Sequence, residues 1–386
     1  MAMPVMAAAD PSALFTPFRL NGATLKNRIV MPGMQRKWCA EGRPLPQLVE
    51  YYCRRAEGGA ALIITEACAV DHDSATQEET YARITPETAA SWRDCIARVH
   101  EAGSLMLIQL WHEGAIRSIG GSGRYAAAPT LSPSGLVKPG KPNGRAATLE
   151  ELAGIRDAFV RSARLAAAAG ADGVEIHACH GYLLDQFLWR HTNLREDRYG
   201  GPALADRLRF PVEIVEAVRD AVPADFIVSF RFSQWKEADY GARIAETPDE
   251  LAFMLDTLKR AGADVVHASA RRFWVPEWPG SPLGIAGWVK AVGDLPVIAC
   301  GSVGLDTDVM DNFLVREARQ TGQAGLDEVV RRFENGEFDL MSVGRAHIGD
   351  PDWAAKVRDG RVAEIRSFTR ADIMPATRDA AGTRHS

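Results

Sequence analysis

The chain has 386 residues, of which 46% are hydrophobic and 25% are charged, and its formal net charge at pH 7 is −5. This composition is ordinary for a globular protein and, without a block of like charge, it argues against nucleic acid or an anionic membrane as a partner. No apolar run reaches the length of a membrane-spanning helix, and the first nine residues lack the basic start of a secretory signal, so we expect a cytoplasmic location.

Short β-rich runs alternate with amphipathic helical segments along the chain, which predicts a parallel sheet with helices between its strands. The predicted strands span residues 28–35, 60–66, 105–110, 173–177, 226–232, 264–269, 295–299 and 340–343. The predicted strand at 60–66 is continuously apolar from residue 60 to residue 64, as expected for a strand that is buried on both faces. Eight such units without a break in composition predict an α/β fold, a single (β/α)8 TIM barrel over residues 12–374.

Three predicted helices begin with capping signals. The threonine–proline pair at 85–86 predicts an N-cap followed by proline at the first helical position. Thr148 and Glu151 have the spacing of a capping box, and segment 247–250 combines both signals.

Three long segments interrupt the alternation of strands and helices: 113–147, 190–205 and 270–283. The first is rich in Gly, Pro and Ser, and we expect it to cap the barrel mouth at the C-terminal face. The third contains Phe273, Trp274 and Trp278, which could hold a flat ligand over the mouth or pack on the barrel wall. Residues 1–11 and 375–386 are expected to form flexible tails.

The six cysteines are scattered along the chain and include no C-x-x-C pair. That spacing argues against a zinc site, an iron–sulfur cluster or a thioredoxin-like motif, and we expect no metal. Scattered free thiols suit a reducing compartment.

In a barrel of this kind the active site lies at the C-terminal ends of the strands. The ends of strands seven and eight carry Gly301, Ser302, Gly344 and Arg345. Small residues let backbone N–H groups approach an anion, and an arginine adds a charge-assisted fork, so these ends predict a phosphate site. Such a site alone indicates only a phosphorylated ligand, and the alternative is a structural arginine beside a tight turn.

Two further polar residues lie at strand ends. Gln109 offers both a donor and an acceptor, which suits an imide-like ring edge. Arg231 could stabilise a ring that becomes anionic. Taken singly, each could equally be a core polar residue with its hydrogen bonds satisfied.

The most specific pattern is His177-x-x-His180-x-Tyr182 at the end of strand four. Two imidazoles could bind a metal, but no carboxylate or third histidine is placed to complete the ligand set. Alternatively, two neutral imidazoles can donate to one carbonyl oxygen and stabilise a developing enolate. A tyrosine two residues on can then serve as a general acid.

These motifs closely resemble the old yellow enzyme family over about residues 14–353. The resemblance rests on LFTPFRLNGATLKNRIVMPGM near the start, QLWHEG at strand three, and IHACHGYLLDQFL at strand four. It continues through NLREDRYGG, Arg207, Arg231 and VGRAHIGDPDW. Several motifs in the right order make a chance match very improbable.

The resemblance implies an FMN-dependent oxidoreductase. NADH or NADPH would reduce the flavin, which would pass hydride to the β-carbon of an activated alkene such as an enone or nitroalkene. By resemblance, His177 and His180 bind the substrate carbonyl and Tyr182 protonates the α-carbon. The implied flavin contacts are Met34, Gln35, Ala67, Gln109, Arg231, Gly301, Ser302, Gly344 and Arg345. Trp111 and Trp274 are expected to contact the substrate.

One position departs from the family pattern. Relatives usually carry Thr or Cys after the methionine of strand one, where the side chain hydrogen-bonds the flavin, whereas this chain has Gln35. The Gln35 side chain, which is longer than Thr or Cys, could donate a hydrogen bond to the flavin ring or point away from it. Two other functions are possible for such a barrel. A lyase or aldolase would need a Schiff-base lysine or metal-binding carboxylates, which the predicted strand ends lack. The other alternative is a flavin-binding module without turnover. The sequence is compatible with a homo-oligomer and does not specify one.

Overall fold

The computed structural model describes residues 9–373 and shows eight parallel strands that close into a barrel. The strands are β1 (Ile29–Met31), β2 (Leu62–Ile64), β3 (Leu105–Trp111), β4 (Gly173–His180), β5 (Ile227–Lys236), β6 (Val265–Ser269), β7 (Val297–Cys300) and β8 (Leu340–Ser342). Each strand pairs with the next along the chain, and β8 pairs with β1. The predicted TIM barrel is confirmed.

Helices lie between the strands and pack their apolar faces on the barrel. Within residues 9–373 they are α1 (Pro46–Glu57), α2 (Ala89–Glu101), α3 (Leu149–Ala168), α4 (Leu183–Leu188), α5 (Leu204–Ala221), α6 (Pro248–Arg260), α7 (Ile285–Val292), α8 (Val309–Leu314), α9 (Gly322–Glu334), α10 (Arg345–Gly349) and α11 (Trp353–Arg358). Short 3-10 helices span Pro11–Phe15, Gly114–Ile116, Val362–Glu364 and Arg370–Asp372. None of the described helices is long and apolar enough to cross a membrane.

Short additional strands decorate the barrel. They are Phe18–Leu20, Ala23–Leu25, Cys39–Ala40, Arg43–Pro44, Cys68–Ala69, Ala82–Arg83, Leu131–Ser132, Leu136–Lys138, Lys141–Pro142 and Arg145–Ala146. The first two form an antiparallel hairpin whose Leu20 and Leu25 join an apolar cluster with Leu107 and Val265 of the barrel strands. Because this cluster fills the N-terminal half of the barrel, polar chemistry is confined to the opposite end.

Local details differ from the sequence predictions at several element ends. Strand β1 ends at Met31 and not at residue 35, since Pro32 lacks the N–H that a sheet ladder needs. Helix α2 begins at Ala89, because the Thr88 hydroxyl donates to the Arg83 carbonyl and holds residues 85–88 in a turn.

The capping box at the start of α3 is confirmed. Glu151 N–H donates to Thr148 Oγ1 at 3.1 Å, and Thr148 N–H donates to Glu151 at 2.9 Å. At the start of α6, Thr247 does accept from Glu250 N–H, but the Glu250 carboxylate accepts instead from the N–H of Glu246.

The first two insertions follow β3 and α4 and contact each other and α4 at the C-terminal face. Ala115 N–H donates to Gln186 Oε1 of α4 at 3.0 Å, and Leu194 N–H donates to Ser134 Oγ at 2.8 Å. Neither insertion contributes a residue to the cavity lining. That 113–147 caps the mouth stays a prediction. The predicted tails fall largely outside the described residues. A single domain over 12–374 stays a prediction, supported by a core that includes both Leu14 and Phe368.

Candidate active site

A cavity of about 340 Å³ opens at the C-terminal ends of the barrel strands. The cavity wall includes all but two of the residues that the sequence analysis assigned to the site. These are Met34, Gln35, Ala67, Gln109, His177, His180, Tyr182, Arg231, Gly301, Ser302, Gly344 and Arg345. The closed parallel barrel therefore brings the ends of all eight strands to one pocket, with Ser269 contributed by β6, as the strand-end argument predicts.

The two expected residues that do not line the cavity are Trp111 and Trp274. Trp111 is buried behind Tyr182, with the two ring centroids 5.2 Å apart in an edge-on arrangement. Trp274 packs edge-on against Phe273, and its carbonyl accepts a hydrogen bond from Arg332. Neither tryptophan lines the cavity, and their assignment as direct ligand contacts stays a prediction.

The rest of loop 270–283 also packs on the barrel. Trp278 lies edge-on to Trp288 of α7 at 5.3 Å, and its Nε1 donates to the Glu246 carbonyl at 2.9 Å. These contacts favour packing on the wall over ligand binding for the tryptophans of this loop. Only Ala270 and Arg271, at its start, line the cavity.

The two histidines converge because strand β4 is irregular at its end. A register shift separates Ala178 from His180, and His180 has a left-handed φ of +63°. This brings the His180 ring to the same side as His177, with centroids 5.7 Å apart. His180 Nε2 also shares a 2.9 Å hydrogen bond with Ser269 Oγ.

Both histidines are neutral at physiological pH. Burial, reinforced by the charge of Arg231, lowers the pKa of His177 to about 3 and the pKa of His180 well below its ordinary value. A neutral imidazole retains one N–H donor and one acceptor nitrogen. The pair can therefore offer N–H groups to one ligand oxygen without a full positive charge at that point.

Cys179 adds a third donor atom that the sequence reasoning did not consider. Its Sγ and the ring nitrogens of His177 and His180 all lie within 4.8 Å of one another, a spacing that could hold a metal ion. Burial raises the pKa of the Cys179 thiol well above its ordinary value, and a metal site requires the thiolate. A metal ion would have to displace the proton of this thiol on binding, whereas a carbonyl oxygen would bind the histidines without doing so.

Tyr182 lies at the start of α4, with its ring 5.0 Å from the ring of His177. Burial and the nearby charge of Glu237 raise the pKa of the Tyr182 phenol well above its ordinary value. Tyr182 therefore holds its proton until a stronger base forms beside it, which is the state required of a general acid.

The turn that carries His180 and Tyr182 is held by a fully buried ion pair that the sequence analysis missed. Lys236 Nζ lies 2.7 Å from Asp185 Oδ1, and both side chains are completely buried. Asp185 Oδ2 accepts from Gly181 N–H at 2.6 Å. The only available signal was a lysine at the end of a barrel strand, which does not by itself identify its partner.

Gln109 is oriented by a carboxylate at the floor of the cavity. Its Nε2 donates to Glu175 Oε1 at 2.7 Å. An ionised carboxylate can only accept, so the amide nitrogen must face Glu175, and the amide oxygen is the group free of that bond. Gly33 also borders this side chain, since a Cβ at Gly33 would lie 2.8 Å from Gln109 Nε2.

The segment after β7 turns tightly and lies beside Arg345, the first residue of α10 after β8. Gly301 has a φ of +142°, and a Cβ there would lie 2.6 Å from the Ala270 carbonyl oxygen, so glycine is required. Arg345 donates to the carbonyl of Asp308 at 3.0 Å and to Ser302 Oγ at 3.1 Å. The guanidinium therefore orders the 302–308 loop, and its contact with a phosphate stays a prediction.

Gln35 carries a buried donor at the cavity wall. Its Nε2 has no hydrogen-bond partner among the described residues. Buried amide nitrogens are nearly always paired in folded proteins, so this one is available to a bound molecule.

The wall also contains residues from loops that the sequence analysis did not single out. They are Glu237 and Tyr240 after β5, and Val303, Leu305, Asp308, Val309 and Met310 after β7.

We expect Asp185→Asn to destabilise the protein by about 3–5 kcal/mol, because it leaves the Lys236 charge buried without its partner. The double variant Asp185→Leu/Lys236→Met removes both charges and should lose much less stability. Urea unfolding of both variants and the wild type provides the measurement. Equal losses would show that the pair is not electrostatically coupled.

Comparison with known proteins gives a consistent result. The family model described as "NADH:flavin oxidoreductase / NADH oxidase family" matches residues 13–321. The chain is 32% identical over 371 residues to an NADH oxidase of Thermoanaerobacter brockii, covering 93% of this chain and 53% of that relative. It therefore spans about half the length of that protein.

Two further matches cover most of both chains. The chain is 29% identical over 350 residues to 12-oxophytodienoate reductase 2 of Arabidopsis thaliana, covering 88% of this chain and 86% of the relative. Among solved structures, morphinone reductase in complex with tetrahydroNAD has a TM-score of 0.76 at 25% identity, with 94% of each chain covered.

Proposed function

Because the chain belongs to the NADH:flavin oxidoreductase / NADH oxidase family, the old yellow enzyme family, we propose that it is an FMN-dependent ene-reductase. Its substrate would be an activated alkene such as an enone or nitroalkene, and its reductant NADH or NADPH. The observation that carries the proposal is the pair of neutral histidines beside a protonated tyrosine on one cavity wall.

The cavity residues fit a flavin. The orphaned Gln35 Nε2 and the acceptor oxygen of Gln109 suit the polar edge of an isoalloxazine ring, and Arg231 would face its electron-accepting part. Met34 and Ala67 would complete the contacts with the ring. When bound, FMN would supply the hydride that reaches the alkene β-carbon.

The phosphate would lie at the ends of β7 and β8. Backbone N–H groups of Gly301, Ser302 and Gly344 would hold it there, since small residues leave room for close approach. Burial lowers the pKa of Arg345 to about 10, so its guanidinium still carries its charge at neutral pH. Arg345 would add that charge and keep the 302–308 loop in place.

The histidine pair would bind the activating carbonyl or nitro group. N–H donors from His177 and His180 stabilise the negative charge that develops on this oxygen when hydride reaches the β-carbon. Ser269 would fix the orientation of the His180 ring through its 2.9 Å hydrogen bond. Tyr182 would then deliver its proton to the α-carbon.

The competing functions find less support. A Schiff-base mechanism needs a reactive lysine, but no lysine lines the cavity and Lys236 is paired with Asp185. A flavin-binding module without turnover would not need a protonated tyrosine beside the substrate pocket.

Six free cysteines within the described residues support our proposal that the protein works in the cytoplasm.

Purified protein is expected to be yellow and to release FMN on heating, because its phosphate grip accommodates a mononucleotide. Chromatography of the released chromophore against FMN and FAD standards identifies it. Release of FAD, or absence of any flavin, would contradict the cofactor assignment.

Replacing either histidine of the pair, His177→Ala or His180→Ala, is expected to weaken phenol binding, since phenolate oxygen resembles the developing enolate. Each change should also slow enone reduction by about 10²–10³, as loss of an oxyanion donor does. Phenol titrations and stopped-flow rates test this, with exposed His191→Ala as the matched control. Unchanged affinity and rate in both variants would place the carbonyl elsewhere.

Tyr182→Phe removes only the acidic O–H and keeps the ring. Reduction of the enzyme by NAD(P)H needs no proton from this group and should stay near the wild-type rate. Reduction of an enone should slow by about 10²–10⁴, the contribution of a positioned general acid. Stopped-flow measurement of each half-reaction separates the two, and Tyr81→Phe is the control for a nearby hydroxyl. Equal slowing of both half-reactions would indicate a packing role.

A further inference from the structure

A cluster of charged side chains is buried under the cavity on strands β4, β5 and β6. Glu175 has no solvent exposure and accepts hydrogen bonds from Gln109 Nε2 and, at 2.8 Å, from His267 Nδ1. Arg231 NH1 lies 3.9 Å from the same carboxylate. A buried carboxylate stays ionised only when such partners offset its lost hydration.

The surroundings of His267 favour a doubly protonated ring. Burial alone would lower the pKa of His267 and the charge of Arg231 opposes its protonation, but the Glu175 carboxylate raises the pKa above its ordinary value. The same pairing holds the pKa of Glu175 below its ordinary value in spite of burial. His267 and Arg231 also lower the pKa of Cys300 to about 7 against the effect of burial, so a Cys300 thiolate would offset part of their charge above that pH.

We propose that His267 is a buried imidazolium held by Glu175, and that with Arg231 it gives the floor of the flavin site a net positive charge. Two cations then face one carboxylate in a region where water cannot screen them. Such a charge stabilises a reduced, anionic ring more than an oxidised, neutral one, and therefore raises the reduction potential of the cofactor. The inference rests on the proposed flavin function of this cavity.

His267 acts at a distance from the reacting atoms. It does not line the cavity, whereas Arg231, Gln109 and Cys300 do. The charge of His267 would act on the cofactor electrostatically. It would also act through Glu175, which His267 holds in place and which orients Gln109. His267 is therefore a positioning residue, and its test needs readouts that simple loss of packing would not produce.

The protonation state is measured by ¹⁵N NMR of the holoenzyme with labelled histidine, using His267→Gln to assign the His267 signals. Both ring nitrogens of His267 should be protonated at pH 7, when His177 and His180 are neutral. A neutral His267 ring would overturn the proposal. This readout does not depend on turnover, so it separates the charge of His267 from the proposed function.

The effect on the cofactor is measured as a midpoint potential by dye-coupled reductive titration. His267→Gln should lower the potential relative to wild type. The control is His100→Gln, which removes a histidine paired with Asp172 at the opposite end of the barrel and should leave the potential unchanged. His267→Asn serves if the first variant does not fold, since its amide can also donate to Glu175.

The outcomes are distinguishable. A lowered potential together with an imidazolium signal supports the proposal, and an unchanged potential in a folded, flavin-loaded variant refutes the role toward the cofactor. Absence of flavin from the wild-type protein would instead contradict the proposed function itself, while the NMR measurement would still decide the charge of His267.

Discussion

The parallel register of β3 to β6 is the constraint on which the candidate site depends. Across neighbouring strands, Glu175 lies opposite Gln109 and Ser229, while Arg231 lies opposite His177 and His267. These pairings place Arg231 and His267 level with His177, and Glu175 and Gln109 one inward-facing position below it. A one-residue slip of β4 would turn its inward side chains outward and separate these groups.

Burial and the charged groups near the cavity determine the protonation states of the three candidate catalytic side chains. Burial and the positive charge of Arg231 keep His177 and His180 neutral, so both remain hydrogen-bond donors without carrying charge of their own. Glu237 and burial keep the proton on Tyr182. Groups in these states can stabilise a developing oxyanion and then protonate carbon, which is the order of events that an ene-reduction requires.

A local irregularity is as important as the regular barrel. In an undistorted strand, residues three apart point to opposite faces, so His177 and His180 could not share a ligand. The register shift and the left-handed conformation of His180 remove this conflict. The buried Lys236–Asp185 pair and the hydrogen bond from Gly181 hold the distorted turn in place.

The sequence by itself determined the eight-unit alternation, and hence the fold, because apolar runs and helix caps are local signals. It also predicted twelve residues of the cavity wall, since the ends of parallel strands must meet at one rim. Only the tertiary structure decided which aromatic residues reach the cavity: Tyr182, Trp235 and Tyr240 line it, whereas Trp111 and Trp274 do not. The partners of Glu175 and Lys236 were likewise decided by the fold. Such pairs join residues tens of positions apart, and a single sequence carries no local signal of a contact that only barrel closure creates.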